Sequence, residues 1–318
     1  MPVDPILVPL LATLPPFPDE VEDFGALRAQ ELAGAETMAA QLAEPAPEGV
    51  ARRAATVEVN DGNIQVHVYS PPTEGTHPAH VYLHGGGWLG GTIHNAFVDI
   101  QMRERCLGAD CVVIAVEYRK APENPFPTGL EDCYAALVWV HEQAEALGVD
   151  RGQISIGGGS AGANLAAAVC LKARDESGPA ISLQLLEVPA LDLTLGSASI
   201  QENATGYGLT AADLPKILRY YLADPDDATN AYASPLLATD LSRLPAAYIM
   251  SAEYDPLRDD GERYATRLRT AGVPTTYSLQ RGQIHISSAL TAILPAARAW
   301  RDEAITALRA AHRQPANV

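Results

Sequence analysis

Six consecutive residues, Gly157-Gly158-Gly159-Ser160-Ala161-Gly162, stand where a β-rich apolar run, Gln153–Ile156, gives way to a helical pattern, Ala161–Arg174. Within them Gly158-x-Ser160-x-Gly162 has the spacing of a nucleophile elbow, a strained strand-to-helix turn that pushes a serine hydroxyl into a cleft. The chemistry needs that spacing, because glycines on either side of the serine let the turn pass close to the neighbouring strand and helix without a clash. The helix N-terminus that follows aims backbone donors at developing negative charge. The same residues also read Gly157-x-Gly159-x-x-Gly162, the dinucleotide-binding fingerprint, with Glu187 near the end of the next strand as a candidate ribose acid. A third reading is a glycine-rich turn without chemistry. The rest of the chain must choose among the three.

Upstream, directly after the run His80–Leu83, stands His84-Gly85-Gly86-Gly87-Trp88. Three successive glycines let backbone approach a reacting carbonyl and present N–H groups to it. This is the second oxyanion-hole element that accompanies G-x-S-x-G in lipases and esterases. A simple turn needs only one or two glycines, and a dinucleotide enzyme gives no reason for the run. Downstream, a serine nucleophile needs a carboxylate and a base, in the chain order Ser, Asp, His. Asp255 lies just beyond the run Ala247–Ser251, in Ser251-Ala252-Glu253-Tyr254-Asp255. Asp259 and Asp260 are rivals, read here as N-terminal charges of the next helix. His285 follows the run Thr275–Leu279 and is the one histidine of eight that is both C-terminal to Asp255 and in a strand-end loop. His312 falls in a frayed C-terminus on this reading, and solvated or structural roles suffice for His67, His77, His80, His94 and His141.

The elements that must position these groups emerge from periodicity. Apolar β-rich runs recur at Asn63–Tyr69, His80–Leu83, Cys111–Tyr118, Gln153–Ile156, Ser182–Val188, Ala247–Ser251 and Thr275–Leu279. Helical patterns fall between them at Leu130–Leu147, Ala161–Arg174, Gly261–Ala271 and Ser288–Ala311. Strands alternating with helices imply an α/β fold with a mostly parallel sheet covered on both faces. The first two runs, with Asp61-Gly62 as the turn signal, are read as an antiparallel hairpin at one edge. Residues 1–50 are broken by prolines and carry a helix around Ala26–Leu42, and residues 191–235 interrupt the alternation. There Thr210-Ala211-Ala212-Asp213 reads as a capping box before the apolar stripe Leu214, Ile217, Leu218, Tyr221 and Leu222. Both segments are expected to form a helical cap over one catalytic core, built from residues 51–190 and 236–318.

At 318 residues the chain can bury a large core, and its 47% hydrophobic and 19% charged content is that of a globular protein. A formal net charge of −17 argues against nucleic acid, since nothing neutralises phosphates over a wide surface. Cys106, Cys111, Cys133 and Cys170 sit in apolar stretches as core filling, without metal-ligand spacing. The proline-broken N-terminus is a poor signal peptide, and no apolar run has the length of a membrane span. A cytoplasmic enzyme acting on a small-molecule ester is therefore expected, without metal, organic cofactor, nucleic acid or membrane; a homodimer is left open.

The motifs together resemble the bacterial hormone-sensitive-lipase family (family IV) of α/β-hydrolase carboxylesterases. The match rests on HGGGW (His84–Trp88), EYRKAPENPFP (Glu117–Pro127) with Glu131-Asp132, GGSAGANL (Gly158–Leu165), EYDPLRDDG (Glu253–Gly261) and GQIH (Gly282–His285). Within the family the chain is most similar to the actinobacterial acetyl-esterase or heroin-esterase type. The resemblance implies Ser160, Asp255 and His285 as catalytic triad and the backbone N–H groups of Gly86, Gly87 and Ala161 as oxyanion hole. It gives the tract Tyr118–Pro127 a structural role beneath the oxyanion loop. The chain departs from the family at Gly159, where Asp or Thr is usual, and at Ile286-Ser287, where Gly-Phe often follows the histidine. Trp88 and Ile286, both bulky, are expected to line and narrow the substrate pocket. An amidase or peptidase with the same triad remains an alternative, whereas a dinucleotide oxidoreductase leaves four of the five motifs unexplained.

Overall fold

The computed structural model describes residues 2–313. Eight strands, β1 (Ala51–Val59), β2 (Gly62–Ser70), β3 (His77–Leu83), β4 (Val112–Glu117), β5 (Val149–Gly159), β6 (Leu183–Glu187), β7 (Ala246–Tyr254) and β8 (Thr275–Ile284), form one sheet of order β1-β2-β4-β3-β5-β6-β7-β8. The pairs β1–β2 and β2–β4 are antiparallel, and every pairing from β4 through to β8 is parallel. The helices are α1 (Val8–Leu11), α2 (Phe24–Leu42), α3 (Ala96–Ala109), α4 (Thr128–Glu142), α5 (Ala144–Leu147), α6 (Ala161–Asp175), α7 (Ser199–Glu202), α8 (Asp213–Tyr221), α9 (Arg258–Thr270) and α10 (Pro295–His312). This is the α/β-hydrolase arrangement, and the inner strands are apolar on both faces because helices cover both. Helix α6 is the extreme case: small residues, mostly alanine, let it sink almost wholly into the core behind Ser160.

Several expectations need correction. The turn at Asp61-Gly62 joins β2 to β1, not to β3, and β4 lies between β2 and β3. Strand β1 escapes an apolar-run search because it is an edge strand, and most of Ala51–Val59 faces water. Helix α3 was not read from periodicity at all; its buried Arg105 interrupts the apolar face. The long helical patterns are also shorter than read, since α4 ends at Glu142 before a separate turn and α10 begins only at Pro295. His312 is not frayed: it closes α10 in the core, with Nε2 3.0 Å from Ser155 Oγ. Burial lowers its pKa to about 4, so it is neutral there.

The capping box before α8 is present in both directions. Asp213 N donates to Thr210 Oγ1 at 3.2 Å, and Thr210 N donates to the Asp213 carboxylate at 3.1 Å. All four cysteines are free and buried.

Candidate active site

Ser160 sits between β5 and α6 with φ 56° and ψ −119°, a conformation that costs a non-glycine residue about 1–3 kcal/mol. The surrounding backbone enforces it. Ser160 N donates to Glu187 O at 2.9 Å, tying the turn to the end of β6. A Cβ on Gly162 would overlap Leu83 O and stand 2.6 Å from His84 O, and one on Gly158 would overlap Leu83 O and lie 2.6 Å from Gly162 C. Gly159 differs, because a Cβ there meets nothing within 4 Å. Gly159→Ala should therefore leave the melting temperature within about 2 °C, while Gly162→Ala should cost about 3 kcal/mol or prevent folding. Thermal melts of the two purified variants check this; equal losses at both positions would refute the packing account.

The His84–Gly91 loop is held from below by the tract after β4. Tyr118 Oη donates to His84 O at 2.8 Å while its ring stacks on the His84 imidazole at 4.3 Å. Glu117 accepts from Thr92 Oγ1 at 2.9 Å and from Ile93 N at 2.7 Å, and Ala121 N donates to Trp88 O at 3.1 Å. Burial pushes His84 down to about 4 against the pull of nearby Glu117, so the imidazole is a neutral support near neutral pH. The loop folds on itself: Leu89 N and Gly90 N both donate to Gly86 O, at 3.1 and 2.8 Å. Gly86 has φ 120°, and a Cβ on it would lie 2.5 Å from Gly90 C, so no other residue fits.

Asp255 follows β7 and is completely buried. Its Oδ1 accepts from Leu257 N at 2.9 Å, and its Oδ2 lies 2.7 Å from His285 Nδ1. Asn203 Nδ2 donates to Asp255 O at 3.0 Å, so the residues after β6 also fix this turn. His285 follows β8, where Ser287 Oγ accepts from Ile284 N at 3.0 Å and Asp4 N donates to Gly282 O at 2.9 Å. Asp260 stands in the first turn of α9, where the sequence places it, but it is also buried. It accepts from Leu191 N at 2.9 Å, from Asp192 N at 3.0 Å and from Ser197 Oγ at 2.5 Å, clamping residues 191–197 onto α9. Burial raises its pKa to about 7 despite those donors.

Ser160, His285, Gly86 and Gly87 line one cavity of about 390 Å³. Ala161 stands beside it as the first residue of α6, where its N–H has no partner within the helix. Leu214, Ile217 and Leu218 of α8 form one wall, and Leu193, Leu195 and Leu209 from the preceding segment extend it. Those last three escape the sequence reading because they fall where residues 191–235 interrupt the alternation, ahead of the apolar stripe, although leucines recur there. Ile286 lines the cavity. Trp88 does too, but it is only 5% exposed and stacks on Tyr221 at 4.2 Å, so its bulk fastens α8 to the loop more than it fills the space. Glu187 does not face a ligand. It pairs with the buried Arg105 and accepts from Trp300 Nε1 at 3.0 Å, which removes the ribose-acid reading. Among the described residues no histidine, cysteine and carboxylate cluster could hold a metal ion, and no helix is long and apolar enough to cross a membrane.

Known proteins share both sequence and architecture. A family model described as the alpha/beta hydrolase fold matches residues 80–288. An arylesterase of Saccharolobus solfataricus is 40% identical over 231 residues, 72% of this chain and 74% of that protein. Carboxylesterase NlhH of Mycobacterium tuberculosis is 39% identical over 254 residues, 78% of this chain and 79% of its own. A hyperthermophilic esterase from the archaeon Pyrobaculum calidifontis superposes with a TM-score of 0.91 at 36% identity, covering 98% of this chain and 99% of that one.

Proposed function

Because the chain belongs to the hormone-sensitive-lipase-like family of α/β-hydrolase carboxylesterases, we propose that it hydrolyses small, short-chain acyl esters through Ser160, His285 and Asp255. It is a carboxylic ester hydrolase. The observation that carries the assignment of roles is the convergence of Ser160, the Asp255-paired His285 and the Gly86-Gly87 backbone on one apolar cavity.

The reaction runs in two acyl transfers. Ser160 Oγ attacks the ester carbonyl as its proton passes to His285 Nε2, while Asp255 holds the imidazole in the tautomer that leaves Nε2 free to accept. The N–H groups of Gly86, Gly87 and Ala161 receive the tetrahedral oxyanion, each donor worth about 3–4 kcal/mol in comparable sites. Collapse breaks the bond to the alcohol, which takes the proton from His285, and an acyl-Ser160 ester remains. Water then repeats the sequence: it gives a proton to His285, attacks the acyl carbon, and the acid leaves as Ser160 recovers its hydrogen. These steps call for no metal or organic cofactor.

Residues 1–50 and 191–235 act as a cap in which 191–235 bound the acyl site and 1–50 back α8 through Phe17 and Phe24. Each methylene is favoured by about 0.8 kcal/mol while apolar room remains, after which overpacking outweighs burial. The leucine wall of α8 and its preceding segment sets that limit. Acetyl to roughly hexanoyl esters should be preferred, a bound set by that balance. The test is kcat/KM along a nitrophenyl ester series from acetyl to dodecanoyl, with the matching anilides alongside. A maximum at dodecanoyl or beyond would overturn the bounded-cavity reading, and anilides turning over as fast as esters would assign the site to amide bonds.

A further inference from the structure

Helix α2, far from the elbow in sequence, places one guanidinium against the oxyanion loop. Arg28 Nε donates to Leu89 O at 2.6 Å, and its Nη2 donates to Ala121 O at 2.8 Å. Glu123 fixes the outer side of the fork, accepting from Nη1 at 2.9 Å and from Nη2 at 2.7 Å. One turn along α2, Glu31 Oε2 fills the space where a Gly90 side chain would begin, 2.5 Å from its Cβ position.

The consequence follows from peptide planarity. Leu89 C=O and Gly90 N–H belong to one trans peptide unit and point in opposite directions. Arg28 holds the carbonyl end, and the N–H end donates to Gly86 O at 2.8 Å. Gly86 C=O in turn shares a peptide unit with Gly87 N–H, so fixing Gly86 O fixes the direction of that donor. A cation at the head of such a chain also polarises it, and each hydrogen bond strengthens the next. Gly86, with its positive φ, and Gly87, at φ 59°, have no side chain to hold the loop themselves. Their orientation therefore depends on the two donors to Gly86 O and on whatever holds those donors in place.

We propose that Arg28 is a positioning residue for the oxyanion hole, acting through two successive peptide units, Leu89–Gly90 and Gly86–Gly87, on the Gly87 N–H. The proposal rests on the reading of Gly87 as an oxyanion donor. It gives the N-terminal helix a role in transition-state stabilisation as well as in backing α8, where Phe24 meets Tyr220.

The experiment uses the full chain with Arg28→Lys and Arg28→Ala, and Ser160→Ala beside them. Displacement of one donor should lower kcat by about 10-fold in the lysine variant and about 100-fold in the alanine variant, with KM within about threefold. Affinity for a short-chain trifluoromethyl ketone, whose adduct with the serine places an oxyanion in the hole, should fall by the same factor as kcat/KM. Affinity for the corresponding unfluorinated ketone should not change. Added guanidinium should restore part of the activity of Arg28→Ala. Wild-type kcat in folded Arg28→Ala overturns the relay. So does a loss of kcat that follows the folded fraction in thermal melts, with ketone affinity intact in the folded protein. If Ser160→Ala stays active, the reading of the site itself fails; if it is inactive while Arg28→Ala matches wild type, the relay alone fails.

Discussion

Ser160→Ala should lower kcat/KM by about 10⁵–10⁶-fold and leave the fold in place, since losing the nucleophile of a triad costs about as much as losing the whole triad. What survives is the weak catalysis of the cavity and oxyanion donors acting on water. The substitution deletes one oxygen from the cavity lining and leaves the backbone bond from residue 160 to Glu187 O untouched. The melting temperature should therefore stay within about 2 °C of wild type. Ser160→Gly separates the chemical role from the strain. At φ 56° and ψ −119° glycine is not penalised, so relief of about 1–3 kcal/mol is set against about 1 kcal/mol of extra chain entropy in the unfolded state. Ser160→Gly should be equally inactive and at least as stable as Ser160→Ala. Initial rates on a nitrophenyl ester, melts of both variants, and a phosphonate label mapped by mass spectrometry provide the test. A folded Ser160→Ala protein retaining a hundredth of wild-type activity, or a label placed on another residue, would end the serine assignment.

The groups gathered around this cavity were legible in sequence to the extent that their constraints are local. A glycine that must pass a neighbouring carbonyl leaves its mark at a fixed offset, which is why the Gly158–Gly162 and His84–Trp88 motifs stand out. Strand-end loops give the places of Asp255 and His285 once chain order is imposed. Long-range partners leave no such mark. Arg105 meets Glu187 from 82 positions away, and neither α3 nor the fate of Glu187 can be read until they are seen together. Asp260 looks like any acidic residue opening a helix; only the N–H groups of Leu191 and Asp192, beyond β6, reveal it as a buried clamp. Edge strand β1 carries two consecutive arginines because both faces of the sheet are open to water at Arg52 and Arg53. Arg28 is the same case at the site itself, an ordinary surface-helix residue until its carbonyl partners on Leu89 and Ala121 are placed.

Asp255→Asn should lower kcat by about 10⁴-fold with little change in KM, and the geometry around residue 255 says why. Oδ1 already accepts from Leu257 N at 2.9 Å, a backbone donor that cannot turn away. An asparagine must keep its oxygen there, or it would point its amide N–H at another N–H in a site with no exposure to water. The amide nitrogen is then left facing His285 Nδ1, at the place where Oδ2 lies 2.7 Å away. Nδ1 has to become the acceptor, so the ring proton moves to Nε2. In that tautomer Nε2 presents a hydrogen to Ser160 and cannot take one, and the general base is lost although each heavy atom is nearly where it was. Asp255→Ala behaves differently: it frees the imidazole to choose its tautomer but strips Leu257 N of its buried acceptor, so it should be less stable than Asp255→Asn by about 1–3 kcal/mol. Asp260→Asn is the discriminating control, because Asp260 binds residues 191–197 rather than His285, and its effect should fall on the melting temperature more than on kcat. Steady-state kinetics and melts of the three variants decide the matter. A drop of less than tenfold in Asp255→Asn, or a larger one in folded Asp260→Asn, would move the role of orienting carboxylate away from Asp255.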